Sequence, residues 1–133
     1  MNKDNFQGTS VPLGKRFELS VEQELQKTGE ILARNYIVPE TGCEADFVVK
    51  VKGKTVYVEC KGGNPLTKRR PGAERTDSVK KAIANGALIK AVNPKSKYIV
   101  YFSAPPKKHS ASDIMINVAL KNKIIDEVKY FVD

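Results

Sequence analysis

Residues Glu44 to Gly63 read EADFVVKVKGKTVYVECKGG, two Val-rich runs separated by Lys52-Gly53. Runs of this composition suit half-buried strands. A turn centred on Lys52 and Gly53 pairs Val51 with Lys54, Val49 with Val56, and Phe47 with Val58, which makes one apolar face. Side chains alternate across a strand, so Glu59 and Lys61 share the other face and Cys60 points away from them. The same register sets Asp46 opposite Glu59, with Cβ atoms ~4.5–5.5 Å apart. A slip of one residue would put an apolar residue opposite each charge.

Two opposed carboxylates repel and weaken a hairpin. A divalent cation between them reverses the sign of that effect. Mg²⁺ takes oxygen ligands and is usually held by one or two carboxylates, with waters and phosphate oxygens completing its shell. The pattern therefore predicts a cation site that opens toward a phosphate, with Lys61 able to orient or polarise a water there. The plainer reading is an exposed hairpin with solvated charges and a chance E-x-K. It accounts neither for the opposed carboxylates nor for Gly62-Gly63 directly after them.

Asp46 followed by Glu59-Cys60-Lys61 resembles the PD-(D/E)xK motif of the restriction-endonuclease-like nucleases, although Ala45 rather than Pro precedes the aspartate. The resemblance implies an α/β fold with a restriction-endonuclease-like core, a mixed β-sheet flanked by helices in the order αβββαβ. A further helix and a short strand follow here. It also implies a Mg²⁺-dependent endonuclease that hydrolyses DNA phosphodiester bonds, with Mn²⁺ able to substitute. Asp46, Glu59 and the backbone carbonyl of Cys60 would bind the cation, and Lys61 would position the attacking water. In the family a glutamate one turn into the first helix adds a carboxylate. Gly14-Lys15-Arg16-Phe17-Glu18 looks like the opening of that helix, so Glu18 or Glu22 would take this role.

The composition agrees with such a partner. The chain has 133 residues, of which 41% are apolar, enough for one core without staples. Lys and Arg outnumber Asp and Glu by 23 to 15, and a net charge of +8 favours a polyanion. Cys43 and Cys60 form no CxxC and are too few for a disulfide scaffold, so both read as reduced and structural. No apolar run approaches the ~20 residues of a membrane span. The start, MNKDNFQGTS, lacks the apolar centre of a signal peptide, which suggests a cytoplasmic protein.

Along the chain, residues 1–12 read as a flexible arm and 13–133 as a single domain. A first helix is expected from about Gly14 to Asn35, with Phe17, Val21, Leu25, Leu32 and Tyr36 as its stripe. Gly29 would weaken that helix by ~1 kcal/mol, or mark a break in it. Tyr36 to Val38 reads as a short strand ended by Pro39 and Gly42. After Lys61, Gly and Pro residues predict a loop that carries Lys68, Arg69, Arg70 and Arg75, cations suited to flanking phosphates. Thr76 or Ser78 should cap a second helix striped by Val79, Ala82, Ile83, Gly86 and Ala87. Lys80 and Lys81 at its start could point toward DNA or be ordinary surface charges. Asn93-Pro94 ends it. Tyr98 to Phe102 is an apolar run that predicts a central strand, parallel to its neighbour because a helix precedes it. Ser110 or Ser112 should cap a third helix, and Val128 to Val132 reads as a last edge strand or a short docked tail.

Other chemistries find little support. His109 is the single histidine, no serine sits in G-x-S-x-G, and no G-x-x-x-x-G-K-[ST] occurs. No thiolate or histidine cluster fits zinc. Two alternatives from other classes remain: a non-catalytic nucleic-acid-binding module of the same fold, and a structural subunit whose basic surface serves solubility. The same motif also serves RNA-directed nucleases. Cutting both strands of a duplex usually takes two sites, so a homodimer is expected if the target is duplex DNA.

Overall fold

The computed structural model describes residues 13–62 and 72–131. Three helices, α1 (Leu13–Gln26), α2 (Thr76–Val92) and α3 (Ala111–Lys121), flank a sheet of five strands. These are β1 (Glu30–Val38), β2 (Cys43–Val51), β3 (Lys54–Lys61), β4 (Lys97–Phe102) and β5 (Glu127–Tyr130), and they lie side by side in chain order. The first three pair antiparallel, while β4 is parallel to both β3 and β5. The order αβββαβ, extended by α3 and β5, is a restriction-endonuclease-like core. The expected arm at residues 1–12 lies outside the described residues. Among the described residues no helix is long and apolar enough to cross a membrane.

The hairpin has the register its side-chain pattern demands. Val51 pairs with Lys54, Val49 with Val56 and Phe47 with Val58. Lys52 and Gly53 both take positive φ, 51° and 82°, the combination that lets a two-residue turn follow the twist of its strands. Phe47, Val49, Val56 and Val58 then pack with Phe17, Val21 and Leu25 of α1 into one core. A second core on the other side joins Tyr57, Tyr98, Val100 and Phe102 to Val79, Ala82 and Ile89 of α2 and Ile116 of α3.

The first helix is shorter than its apolar stripe suggests. It ends at Gln26, and residues 30–38 form an edge strand instead. Gly29 explains the break. A Cβ there would lie 2.7 Å from the Lys50 carbonyl oxygen and within 3 Å of Val49 and Val51 side chains, so only glycine lets the chain turn back against β2. Leu32 and Tyr36, read from the sequence as helix-stripe residues, are exposed on β1.

Helix α2 bridges the antiparallel half of the sheet and the parallel half. Its buried residues are Ser78, Val79, Ala82, Gly86 and Ile89, whereas Ala87, expected in the stripe, is exposed. Gly86 lies against the Tyr98 ring, where an added Cβ would be 2.7 Å from a ring carbon, and the Tyr98 hydroxyl donates to the Ala82 carbonyl at 2.9 Å. The small residues thus let α2 press onto β4. The N-cap of α2 is Arg75, with no side-chain capping bond, rather than Thr76 or Ser78. Ser110 does cap α3, accepting from the Asp113 N–H at 3.2 Å.

Candidate active site

Strands β2 and β3 part company where the charges begin. The last ladder pair at this end is Phe47 with Val58, and Asp46 does not continue it by pairing with Glu59. Instead the Cys60 N–H donates to Asp46 Oδ2 at 2.7 Å. The alternation of β2 changes phase at this residue. Cys43, Ala45 and Val48 belong to the core under α2 and α3, whereas Phe47 and Val49 belong to the core under α1. Across from this break on β1, Asn35 takes a positive φ of 48° between Arg34, paired with Phe47, and Tyr36, paired with Ala45. The irregularity frees the Asp46 carboxylate from the ladder and turns it onto the end of β3.

Glu59 is 6% exposed, an unusual place for a carboxylate. Its Oε2 accepts from Lys61 Nζ at 3.1 Å. Its Oε1 is buried and has no hydrogen-bond partner. Burial, and after it the charge of Asp46, pushes the Glu59 pKa up to about 7 against the opposing pull of Lys61. Burial also raises the Asp46 pKa, partly offset by the Cys60 N–H, while the charge of Glu18 adds to the rise. The Cys60 thiol is driven far upward by burial, so it remains a protonated thiol and packs at the edge of the core under α1. Both cysteines are free.

The two candidate glutamates of α1 separate clearly. Glu22 is paired with Arg34 of β1, whose hydrogen bond holds its carboxyl below the usual range. Glu18 lines a cleft of about 270 Å³ together with Phe17, Cys60, Lys61, Gly62, Ser78 and Lys81. The cleft lies between α1, the end of β3 and the first turns of α2. Of the cations read as nucleic-acid contacts, Lys68, Arg69 and Arg70 lie outside the described residues. Arg75 is half-buried at the N-cap of α2. Lys80 lines a different, apolar groove with Ile83 and Ala84 of α2 and Ile114 and Val118 of α3, so its neighbour Lys81 is the α2 lysine that reaches the cleft. Ser78 was read only as a helix cap. Its helical spacing of three from Lys81 places both on one side of α2, and that spacing is the signal that could have marked them together.

The donor set suits a hard divalent cation. An orphaned, buried carboxylate oxygen on Glu59 and a second carboxylate on Asp46 that raises its pKa are both relieved by positive charge between them. Among the described residues no three Asp, Glu, His or Cys side chains gather closely enough to hold a metal by themselves, so Glu18 stands on the cleft wall rather than in a three-acid cluster. Asp46 and Glu59 are the carboxylates that could hold the cation, with waters and substrate oxygens needed to complete its shell.

Fold and site together define a restriction-endonuclease-like α/β protein with a carboxylate pair and a lysine where two adjoining strands part. A curated protein from Kosmotoga olearia, called UPF0102 protein, is 41% identical over 88 residues, a span covering 65% of this chain and 74% of that protein. The chain belongs to the UPF0102 family. It matches no family model and no solved structure.

Proposed function

We propose that the protein is a divalent-cation-dependent nuclease of the PD-(D/E)xK class that hydrolyses DNA phosphodiester bonds. The observation that carries this reading is the buried Glu59, with one oxygen on Lys61 and the other without a partner, pushed to a raised pKa by burial and by Asp46. A buried carboxylate kept at such a cost, and paired with a lysine that lines a cleft, marks a functional group more often than a structural one. The net charge of +8 supports a polyanionic substrate.

Bound Mg²⁺ would neutralise the two carboxylates and withdraw charge from a phosphate oxygen as the bond breaks. Asp46 is held in place for this by the Cys60 N–H. Lys61 holds its ammonium within reach of Glu59 and of the cleft, where it can orient the attacking water and favour loss of its proton. Glu18 faces the same cleft and can accept a hydrogen bond from that water. A duplex target calls for a second copy of the chain to supply the second cut, which sedimentation on duplex DNA would register.

The test is cleavage of supercoiled plasmid in Mg²⁺ by the wild type, Asp46→Ala and Lys61→Ala, with RNA assayed beside it. Wild-type nicking that both substitutions abolish is the expected result. Equal cleavage by all three proteins would assign the activity to a contaminant. Salt-sensitive DNA binding with no cleavage in Mg²⁺ or Mn²⁺ would favour a non-catalytic binding module.

A further inference from the structure

We propose that the cleft between α1 and α2 contains a phosphate subsite, in which Ser78, Lys81 and the first turn of α2 hold a backbone phosphate beside the one that is cut. The position of that phosphate relative to the cut rests on the nuclease reading; the anion site itself does not.

Ser78 is 8% exposed, lines the cleft, and its hydroxyl makes no hydrogen bond among the described residues. That hydroxyl opens onto the cleft, where it can donate to an oxygen of a bound anion. Helix α2 begins at the same place. Its N-cap residue Arg75 makes no side-chain capping bond, and the Val79 N–H, donating to the Arg75 carbonyl at 3.2 Å, is the first to find an acceptor within the helix. The N–H groups of Thr76, Asp77 and Ser78 precede it and carry the positive end of a 17-residue helix. Asp77, the acid of this turn, is exposed and does not line the cleft. Lys81 lies one turn further along, on the same cleft wall, with Lys61 at the end of β3.

The cleft is polarised. Its α1 wall carries Glu18, which is felt by Asp46, and its α2 wall carries a hydroxyl, a helix N-terminus and an ammonium. A hydroxyl and backbone N–H groups backed by a lysine recognise a phosphodiester oxygen without regard to the base. The subsite therefore reads the backbone and fixes where the strand lies relative to Asp46, Glu59 and Lys61. Lys81 and Ser78 act as positioning groups, since neither meets the two carboxylates.

The experiment measures binding of a labelled duplex oligonucleotide without divalent cation across a salt series, and cleavage kinetics with Mg²⁺. Lys81→Ala should weaken binding about tenfold, as loss of a charge-assisted hydrogen bond does. It should also make the salt dependence shallower by about one unit of slope, and raise KM with kcat little changed. Ser78→Ala should weaken binding with the slope unaltered. Lys81→Arg should restore binding, and Lys121→Ala, which removes the same charge from the end of α3, should behave as wild type. Wild-type affinity and slope in Lys81→Ala would overturn the subsite, as would a fall in kcat at constant KM. If the wild type cuts nothing, yet Lys81→Ala still loses affinity and slope, the nuclease reading fails and the subsite stands. If the wild type cuts and Lys81→Ala is indistinguishable from it, the subsite alone fails.

Discussion

Glu59 shows a conflict between stability and function at a single side chain. Its carboxylate is buried, has one unpartnered oxygen and sits near another acid, and its raised pKa says that these losses exceed what Lys61 returns. A neutral isostere removes the charge and keeps the shape. Glu59→Gln should therefore melt at the same temperature as the wild type or higher in the absence of divalent cation, while cleavage falls by more than about a hundredfold. A melting temperature well below wild type would mean that the Glu59–Lys61 pair is a net support of the fold. The two glutamates of α1 invite a parallel comparison. Glu22 is spent on an exposed pair with Arg34, a contact of the kind that solvent screens, whereas Glu18 faces the cleft. Glu18→Gln should lower kcat with stability kept, and Glu22→Gln should leave kcat alone. The reverse pattern in a cleavage assay would return the catalytic role to Glu22.

At the scale of elements, two glycines decide where α1 stops and how α2 docks. An alanine at position 86 gains ~1 kcal/mol of helix propensity. Its Cβ, however, meets the Tyr98 ring and the Ile124 carbonyl at 2.7 Å, and overpacking of that kind costs ~1–3 kcal/mol. Gly86→Ala should thus lower the urea midpoint despite the better helix former. A raised midpoint would show that α2 does not lie tightly on β4. Gly29→Ala should also destabilise, since its Cβ would strike the Lys50 carbonyl and the helix could try to run on into β1. The apolar stripe from Phe17 to Tyr36 looked like one long helix because Leu32 and Tyr36 happen to fall near helical spacing. Propensity and period could not reveal that the backbone at residue 29 must pass within contact distance of β2.

Across the whole molecule, Glu59 and Lys61 come at the carboxyl end of β3, where the sheet changes from antiparallel to parallel pairing and α1 and α2 approach each other. A cation held by Asp46 and Glu59, as proposed, would bind only the folded chain, because those residues meet only when β2 and β3 have paired. Mn²⁺ at about a hundred times its dissociation constant should then add ~2.7 kcal/mol of stability to the wild type. The gain should vanish in Glu59→Gln. Thermal melts with and without Mn²⁺ would check this, and an equal rise in both proteins would place the cation elsewhere.

The hairpin, its register and the central parallel strand were legible in the residues, because alternation of apolar and polar side chains over Phe47–Cys60 permits one pairing and a continuous apolar run at Tyr98–Phe102 demands burial on both faces. Alternation also put Glu59 and Lys61 on one face, but Asp46 comes to the end of β3 through a break in that alternation. Three features depended on tertiary contact. The slip of β2 at Asp46 replaces the expected ladder pair by a side-chain bond to Cys60. The ion pair with Arg34 draws Glu22 away and leaves Glu18 on the cleft. The angle at which α2 meets the sheet brings Ser78 and Lys81, rather than Lys80, to the end of β3. Pairing within a hairpin is local and repeats every two residues, so a sequence can encode it openly. The direction in which a helix presents its first turn is set by close packing against distant strands, here at Gly86 and Tyr98, and becomes fixed only when the chain has folded.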